Sequence, residues 1–170
     1  METQAQQEVW LRGPITGITA LLQPAAHALL QAMEEIRKYT DGLNDSLIWE
    51  KPAGLASVAF HLQHLAGILD RLFTYAEGRQ LSAAQLDYLS KEGVYNEKIS
   101  LGGLMAGLEQ QMEISIGKLS AWKLEELTKP RFVGRKKIES TVIGLLFHAA
   151  EHTQRHTGQL LATSRFILAR

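Results

Sequence analysis

Apolar residues recur at steps of three and four along most of this chain, and this helical spacing constrains the fold more than any other feature. Four long segments carry the pattern, at about residues 14–39, 55–77, 101–127 and 140–167. No segment shows the sustained alternation and β-branched enrichment that are typical of strands. The pattern therefore predicts an all-α fold in which four amphipathic helices form a four-helix bundle.

Proline and capping signals predict where these helices begin and end. Pro24 is expected to kink the first helix or to mark its true start. Ser82 with Gln85 predicts a capping box, which opens a short extra helix between the second and third long helices. Pro130 is expected to end the third long helix, and the basic segment 129–137 to form a solvated loop.

Composition limits the classes of protein to which the chain can belong. With 170 residues and 45% hydrophobic content, residues 1–170 are expected to form a single domain with its own core. Lys plus Arg equals Asp plus Glu at 18 each, so no net charge favours a nucleic-acid partner. The N-terminus lacks the pattern of a secretion signal, and no run of 18 apolar residues could cross a membrane. We therefore expect a cytoplasmic protein without a membrane or nucleic-acid partner.

The most unusual motif is FHAAEHTQRHTGQ at residues 147–159, which places His148, His152 and His156 four residues apart. On a helix, two imidazoles at that interval can converge on one ion at about 2.0–2.1 Å each. Three cannot, because the outer two lie about 12 Å apart along the axis. If Ala149 marks the buried face, His152 and His156 point inward. Since the chain has no cysteine, any metal must be bound by nitrogen and oxygen.

Two interpretations fit the inward pair. A metal ion would satisfy both imidazoles at once, whereas partly exposed rings could instead bond carboxylates or carbonyls. Outside this motif, the other histidines are His27, His61 and His64. Helical periodicity about Leu62 alone prefers His61 as the third ligand over His64. Three histidines leave coordination positions open for substrate, as in catalytic sites, whereas His61 and His64 together would close the site.

Together these residues resemble the DinB family of metalloenzymes. The resemblance lies in Ser57-Val58-Ala59, His64-Leu65-Ala66, the segment His148 to His152, and His156-Thr157-Gly158-Gln159. It spans about residues 14–167 and implies a four-helix bundle that holds zinc, nickel or iron. By this pattern the metal ligands are His64, His152 and His156, and His61, which helical periodicity prefers, is kept as the alternative ligand of the second helix.

DinB-family members with known chemistry use the ion to activate a small thiol, as S-transferases for bacillithiol or mycothiol or as a thiol-dependent maleylpyruvate isomerase. The resemblance thus implies a metal-dependent enzyme that transfers a low-molecular-weight thiol to an electrophile, a small-molecule substrate. Two alternatives remain: a metal-dependent hydrolase that uses an ion-bound water, and a non-catalytic, metal-stabilised helical binding module. Some resembling proteins are dimers, so a homodimer is compatible with the sequence.

Beyond the three ligands, no catalytic residue is assigned from the sequence. His61, His148, Gln159 and Arg155 are expected to be neighbours of the site. Gln159 lies on the same side of the helix as the inward pair and could contact a bound water, a substrate or an internal hydrogen-bond partner. Arg155 could attract an anionic thiol, although arginines on helix flanks usually extend into water.

Overall fold

The computed structural model describes residues 7–169, which form a predominantly helical fold with one small sheet. The helices are α1 Gln23–Thr40, α2 Val58–Ala76, α3 Ala83–Lys91, α4 Leu101–Leu119 and α5 Val142–Leu168. The strands are β1 Pro130–Val133 and β2 Ile138–Thr141. Within the described residues there are also four short 3-10 helices, Val9–Arg12, Ala20–Leu22, Pro52–Gly54 and Leu124–Glu126.

The four long helices enclose the core. Both α1 and α2 pack against α5 and α4, while α3 lies on the outside of α2. The inward faces supply fully buried side chains that include Leu29, Ile36, Leu62, Leu65, Leu69, Phe73, Leu108, Leu119, Leu146 and Leu160. Burial of these apolar stripes is the main stabilising term for helices of this length. Their three- and four-residue spacing is the pattern that predicted a helical fold.

None of the helices in residues 7–169 has both the length and the apolar content that crossing a membrane requires.

The first long helix begins at Gln23, later than the expected start near residue 14. The Gln23 amide accepts a hydrogen bond from Ile15 N and donates to the carbonyls of Ile15 and Ile18, each at 2.8 Å. These bonds hold the preceding segment in a turn, and Gly17 within it has a left-handed φ of 83°. Pro24 lies in the first turn, where proline is tolerated. It therefore marks the true start of the first long helix and does not kink it.

The short helix between α2 and α4 is confirmed, together with its capping box. Ser82 Oγ accepts from Gln85 N, and Gln85 Oε1 accepts from Ser82 N. The Gln85 amide also donates to Asp70 Oδ2 and Thr74 Oγ1 of α2, both at 2.8 Å. These contacts fasten α3 to α2, and they fix the position of the loop that follows α3.

The expectation of an all-α chain is wrong for residues 130–141, where β1 and β2 form an antiparallel hairpin in place of the expected loop. The register pairs Pro130 with Thr141 and Val133 with Ile138. Strands of four residues are too short to produce a visible alternation, which explains why periodicity missed them. The third long helix also ends earlier than expected, at Leu119 rather than near residue 127, so Pro130 begins β1 instead of ending α4.

Candidate metal centre

Helices α2 and α5 bring three histidines together. One ring nitrogen each from His64, His152 and His156 lies within 4.8 Å of the other two, in a half-buried cluster. The Nε2 atoms of His64 and His152 are 2.9 Å apart, and the ring centroids of His64 and His156 are 4.6 Å apart. The spacing of four residues on α5 thus places two imidazoles on one side, and α2 supplies the third.

His61 lies behind this cluster rather than within it. Its Nδ1 is 3.0 Å from Nδ1 of His156, and the residue is 2% exposed. Since the contacts of His61 and His64 run in opposite directions along α2 and α5, the two helices are antiparallel here. The sixth histidine, His27, bonds the carbonyl of Gly13 and is outside the cluster. The structure therefore groups His64 with the two α5 histidines, in the register that the motif implied, and makes His61 a neighbour.

The other expected neighbours are exposed. His148 lies at the edge of the cluster, with Nδ1 3.3 Å from Glu151 Oε2. Arg155 Nε donates to Glu151 Oε1 at 3.0 Å, so its charge is shared with a surface carboxylate. Gln159 is exposed as well. None of these side chains belongs to the group of three nitrogens.

Sequence reasoning missed an ion pair directly behind His64. Glu92 Oε2 is 2.7 Å from His64 Nδ1, and Glu92 Oε1 is 2.5 Å from Arg71 Nη1. The Glu92 side chain is only 4% exposed and that of Arg71 6%. Glu92 follows α3, where the apolar pattern is weak, so periodicity gave no reason to select it. A signal was present in α2, however. Arg71 lies seven positions after His64, so it falls on a similar face of the helix, and a buried arginine needs a carboxylate partner.

Two glycines and an aromatic ring complete the wall around His64. The ring of Phe60 stacks on His64, with centroids 5.2 Å apart and planes within 11°. A Cβ atom at Gly67 would collide with the Glu92 carboxylate and lie 2.5 Å from Arg71 Nη1. At Gly93, a Cβ would lie 2.9 Å from the Phe60 ring. The absence of side chains at these positions lets the loop carrying Glu92 approach α2.

Burial favours the neutral form of three imidazoles, His61, His152 and His156, because it lowers their pKa values well below physiological pH. Burial lowers the pKa of His61 to about 4, with a smaller contribution from His64. Burial and then repulsion from His64 lower the pKa of His152 to about 4 and that of His156 to about 3. A metal ligand must present an unprotonated nitrogen, so the neutral rings of His152 and His156 can coordinate an ion without a change in net charge.

These residues fit a divalent cation. Tetrahedral coordination with metal–nitrogen distances of about 2.0–2.1 Å separates ligand nitrogens by roughly 3.4 Å, so small side-chain shifts suffice. The buried Nδ1 of His152 has no hydrogen-bond partner among the described residues, so the protein itself uses only one nitrogen of this ring. Imidazole nitrogen suits zinc, nickel and iron.

Two cavities are lined by residues that contact or neighbour the three histidines. The larger, of about 450 Å³, is lined mainly by apolar side chains, among them Leu72, Leu145 and Ile138, and reaches Arg71 and His148. A second cavity, of about 340 Å³, is lined by Phe60, Glu92, Ser57, Lys51 and Gly93, among others. One cavity therefore reaches Phe60 and Glu92, which contact His64, and the other reaches His148 at the edge of the cluster.

Comparison with known proteins identifies the family. A family model described as the DinB superfamily matches residues 28–160, from within α1 to within α5. The chain therefore belongs to the DinB superfamily. No curated protein matches it.

Two solved structures have a similar fold. The crystal structure of a conserved protein from Enterococcus faecalis has a TM-score of 0.70 at 18% identity, covering 89% of this chain and 99% of that one. A crystal structure from Streptococcus pneumoniae has a TM-score of 0.64 at 16% identity, covering 93% of this chain and 94% of that one. At these identities the likeness shows the fold alone.

Proposed function

We propose that this protein binds one divalent cation through His64, His152 and His156 and uses it to transfer a low-molecular-weight thiol to an electrophile. The observation that carries this proposal is the convergence of three ring nitrogens, from α2 and α5, within 4.8 Å. Three protein ligands leave a coordination position for an exogenous group, as in catalytic metal sites. Thiol transfer is the chemistry that the DinB-family resemblance implies for such a site.

The ion, zinc, nickel or iron, would act as a Lewis acid that lowers the pKa of a coordinating thiol. The chain's own residues prepare the ligands. If His156 donates its Nδ1 proton to His61, its Nε2 lone pair is left for the metal. Burial lowers the pKa of both rings, so only one of the two facing Nδ1 atoms carries a proton, and a proton on His156 is the arrangement that suits coordination. His61 is thus proposed as a hydrogen-bond partner of a ligand rather than a fourth ligand.

We place the organic substrates of the proposed reaction in these cavities. The larger one has an apolar lining that suits the body of an electrophile, and it ends beside His148 at the edge of the cluster. Phe60, stacked on His64, limits the access of water to that ring. Arg155 is exposed and forms an ion pair with Glu151. To bind an anionic thiol, it would have to release the Glu151 carboxylate.

A conjugation assay tests the proposal. Zinc-, nickel- and iron-loaded protein is incubated with bacillithiol, mycothiol or glutathione and the fluorogenic electrophile monochlorobimane. We expect conjugation above the uncatalysed rate with at least one thiol, and its loss in His64→Ala and in metal-free protein. His27→Ala is the matched control, since His27 lies outside the cluster and should retain activity.

The same assay separates the alternatives. Metal-loaded protein that shows no metal-dependent conjugation with any of these thiols would contradict the transferase proposal. Hydrolysis of ester or amide substrates by that protein would then favour a hydrolase, and its absence a non-catalytic binding module.

A further inference from the structure

We infer that Glu92, held in place by Arg71, is a positioning residue that fixes the tautomer and orientation of His64 for coordination through Nε2. This role rests on the proposed metal centre. It adds to that centre a carboxylate, Glu92, that lies outside both helices that carry the ligands. Glu92 directly follows α3, while the ligands lie on α2 and α5.

The hydrogen bond to Glu92 decides which nitrogen of His64 carries the proton. An ionised carboxylate can only accept, so the 2.7 Å contact from Oε2 requires a proton on Nδ1 of His64. In the neutral ring the lone pair is then on Nε2, the atom that faces Nε2 of His152 at 2.9 Å. Without the carboxylate, both tautomers of the ring would be available, and one of them cannot coordinate through Nε2.

The surroundings hold Glu92 rigidly. Its other oxygen, Oε1, accepts from Arg71 Nη1 at 2.5 Å, and both side chains are nearly fully buried. The next residue, Gly93, donates its backbone N–H to the buried side chain of Gln63 at 2.8 Å. Gly67 leaves the space that the carboxylate occupies against α2. If Glu92 only neutralised Arg71, its second oxygen would need no particular partner. Here that oxygen, Oε2, is directed at the imidazole of His64.

The chain contains a matched comparison on the surface. Glu151 contacts Nδ1 of His148 at 3.3 Å, which also pairs a carboxylate with an imidazole. Those side chains are 36% and 47% exposed, and His148 is not among the three converging histidines. Glu151→Gln therefore removes a carboxylate–histidine contact of similar kind without removing a hydrogen bond to a proposed ligand.

The first measurement is zinc affinity, determined by competition with a chromophoric chelator. We expect Glu92→Ala to weaken zinc binding by about 10–100-fold, because loss of a carboxylate behind a ligating histidine has effects of this size. Glu92→Gln keeps the volume and one acceptor oxygen, so its affinity should fall between that of Glu92→Ala and wild type. Glu151→Gln should remain within about threefold of wild type. If Glu92→Ala is unfolded by circular dichroism, Glu92→Gln carries the test.

The second measurement reads the tautomer directly in metal-free protein, from two-bond ¹H–¹⁵N correlation spectra of the histidine rings at pH 7.5. We expect His64 to be protonated at Nδ1 in wild type and to shift toward protonation at Nε2 in Glu92→Ala, with Glu92→Gln between them. A structural role for Glu92 alone would leave this signature unchanged.

The outcomes distinguish the positioning role from the metal centre. Zinc binding within about threefold of wild type in folded Glu92 variants, or an unchanged His64 tautomer, would overturn the positioning role while leaving the metal centre intact. A wild-type protein that binds no zinc, nickel or iron would overturn the proposed function, and the positioning role with it.

Discussion

His61 is almost fully buried against His156, and its environment makes the stability of the metal-free protein depend on pH. The pKa of His61 in the folded protein is about 4, below its ordinary value of 6.5, so the unfolded chain binds this proton more tightly. Its contribution is therefore fully present above about pH 7 and is lost progressively as the pH falls from about 6.5 toward 4. His152 and His156 act in the same direction.

We predict that the free energy of unfolding of metal-free protein is nearly constant from pH 7 to 8 and falls steadily between pH 6.5 and 4.5. Urea denaturation at fixed ionic strength measures it. In His61→Gln, which removes one of the titrating groups, the fall should be shallower over the same range. Equal stability of the wild type at pH 7.5 and pH 5 would show that the buried rings are readily protonated.

At the scale of single residues, the sequence predicted some members of the proposed metal site. The four-residue spacing of His152 and His156 fixes two side chains on one helical face, which is a local property of α5. The choice between His61 and His64 depended on the rotation of α2 about its axis, and the azimuth estimate alone selected His61. Arg71 indicated that a carboxylate is needed near His64, but its identity as Glu92 could not be predicted, because a long-range contact set by the packing of α3 on α2 brings Glu92 there.

At the scale of elements, the approach of the loop after α3 to α2 depends on Gly67. We predict that Gly67→Ala destabilises the protein by about 1–3 kcal/mol, since its methyl group would displace Glu92, Arg71 or the ring of Tyr88. Chemical denaturation measures the change.

Gly107 in α4 provides the matched control, because it is exposed and a Cβ there would meet nothing within 4 Å. Gly107→Ala should stabilise by about 0.5–1 kcal/mol, through the higher helix propensity of alanine. Effects of the same sign and size at both positions would mean that the loop does not approach α2 as described.

Element boundaries were predicted where a local signal sets them. The capping box of Ser82 and Gln85 and the proline at the start of α1 are such signals. The early end of α4 at Leu119 and the hairpin β1–β2 were not predicted. The hairpin is held by contacts with distant parts of the chain, such as the bond from Arg131 Nε to the carbonyl of Ala76 at the end of α2. Tertiary contacts of this kind outweigh local propensity in short segments.

At the scale of the whole molecule, buried apolar side chains of α1, α2, α4 and α5 pack in one cluster that joins the four long helices. We therefore predict that metal-free protein is folded and helical by circular dichroism. Since ligands from α2 and α5 would bind the same ion, free zinc at about 100 times its Kd should add about 2.7 kcal/mol and raise the Tm by roughly 5–10 °C.

Differential scanning calorimetry with and without zinc measures this shift, and His152→Ala is the control. The shift should be absent from that variant, because one of the three proposed ligands is missing. An equal shift in wild type and His152→Ala would place zinc binding elsewhere on the chain.

The central claim is that three histidines from two helices hold one divalent ion, and elemental analysis of protein purified without affinity tag or chelator tests it most directly. We expect about one zinc, nickel or iron per chain in wild type and in His61→Ala and His27→Ala, and a loss of that metal in His64→Ala and His152→Ala. Wild-type protein that contains no metal, and takes up none when zinc, nickel or iron is added, would contradict the claim.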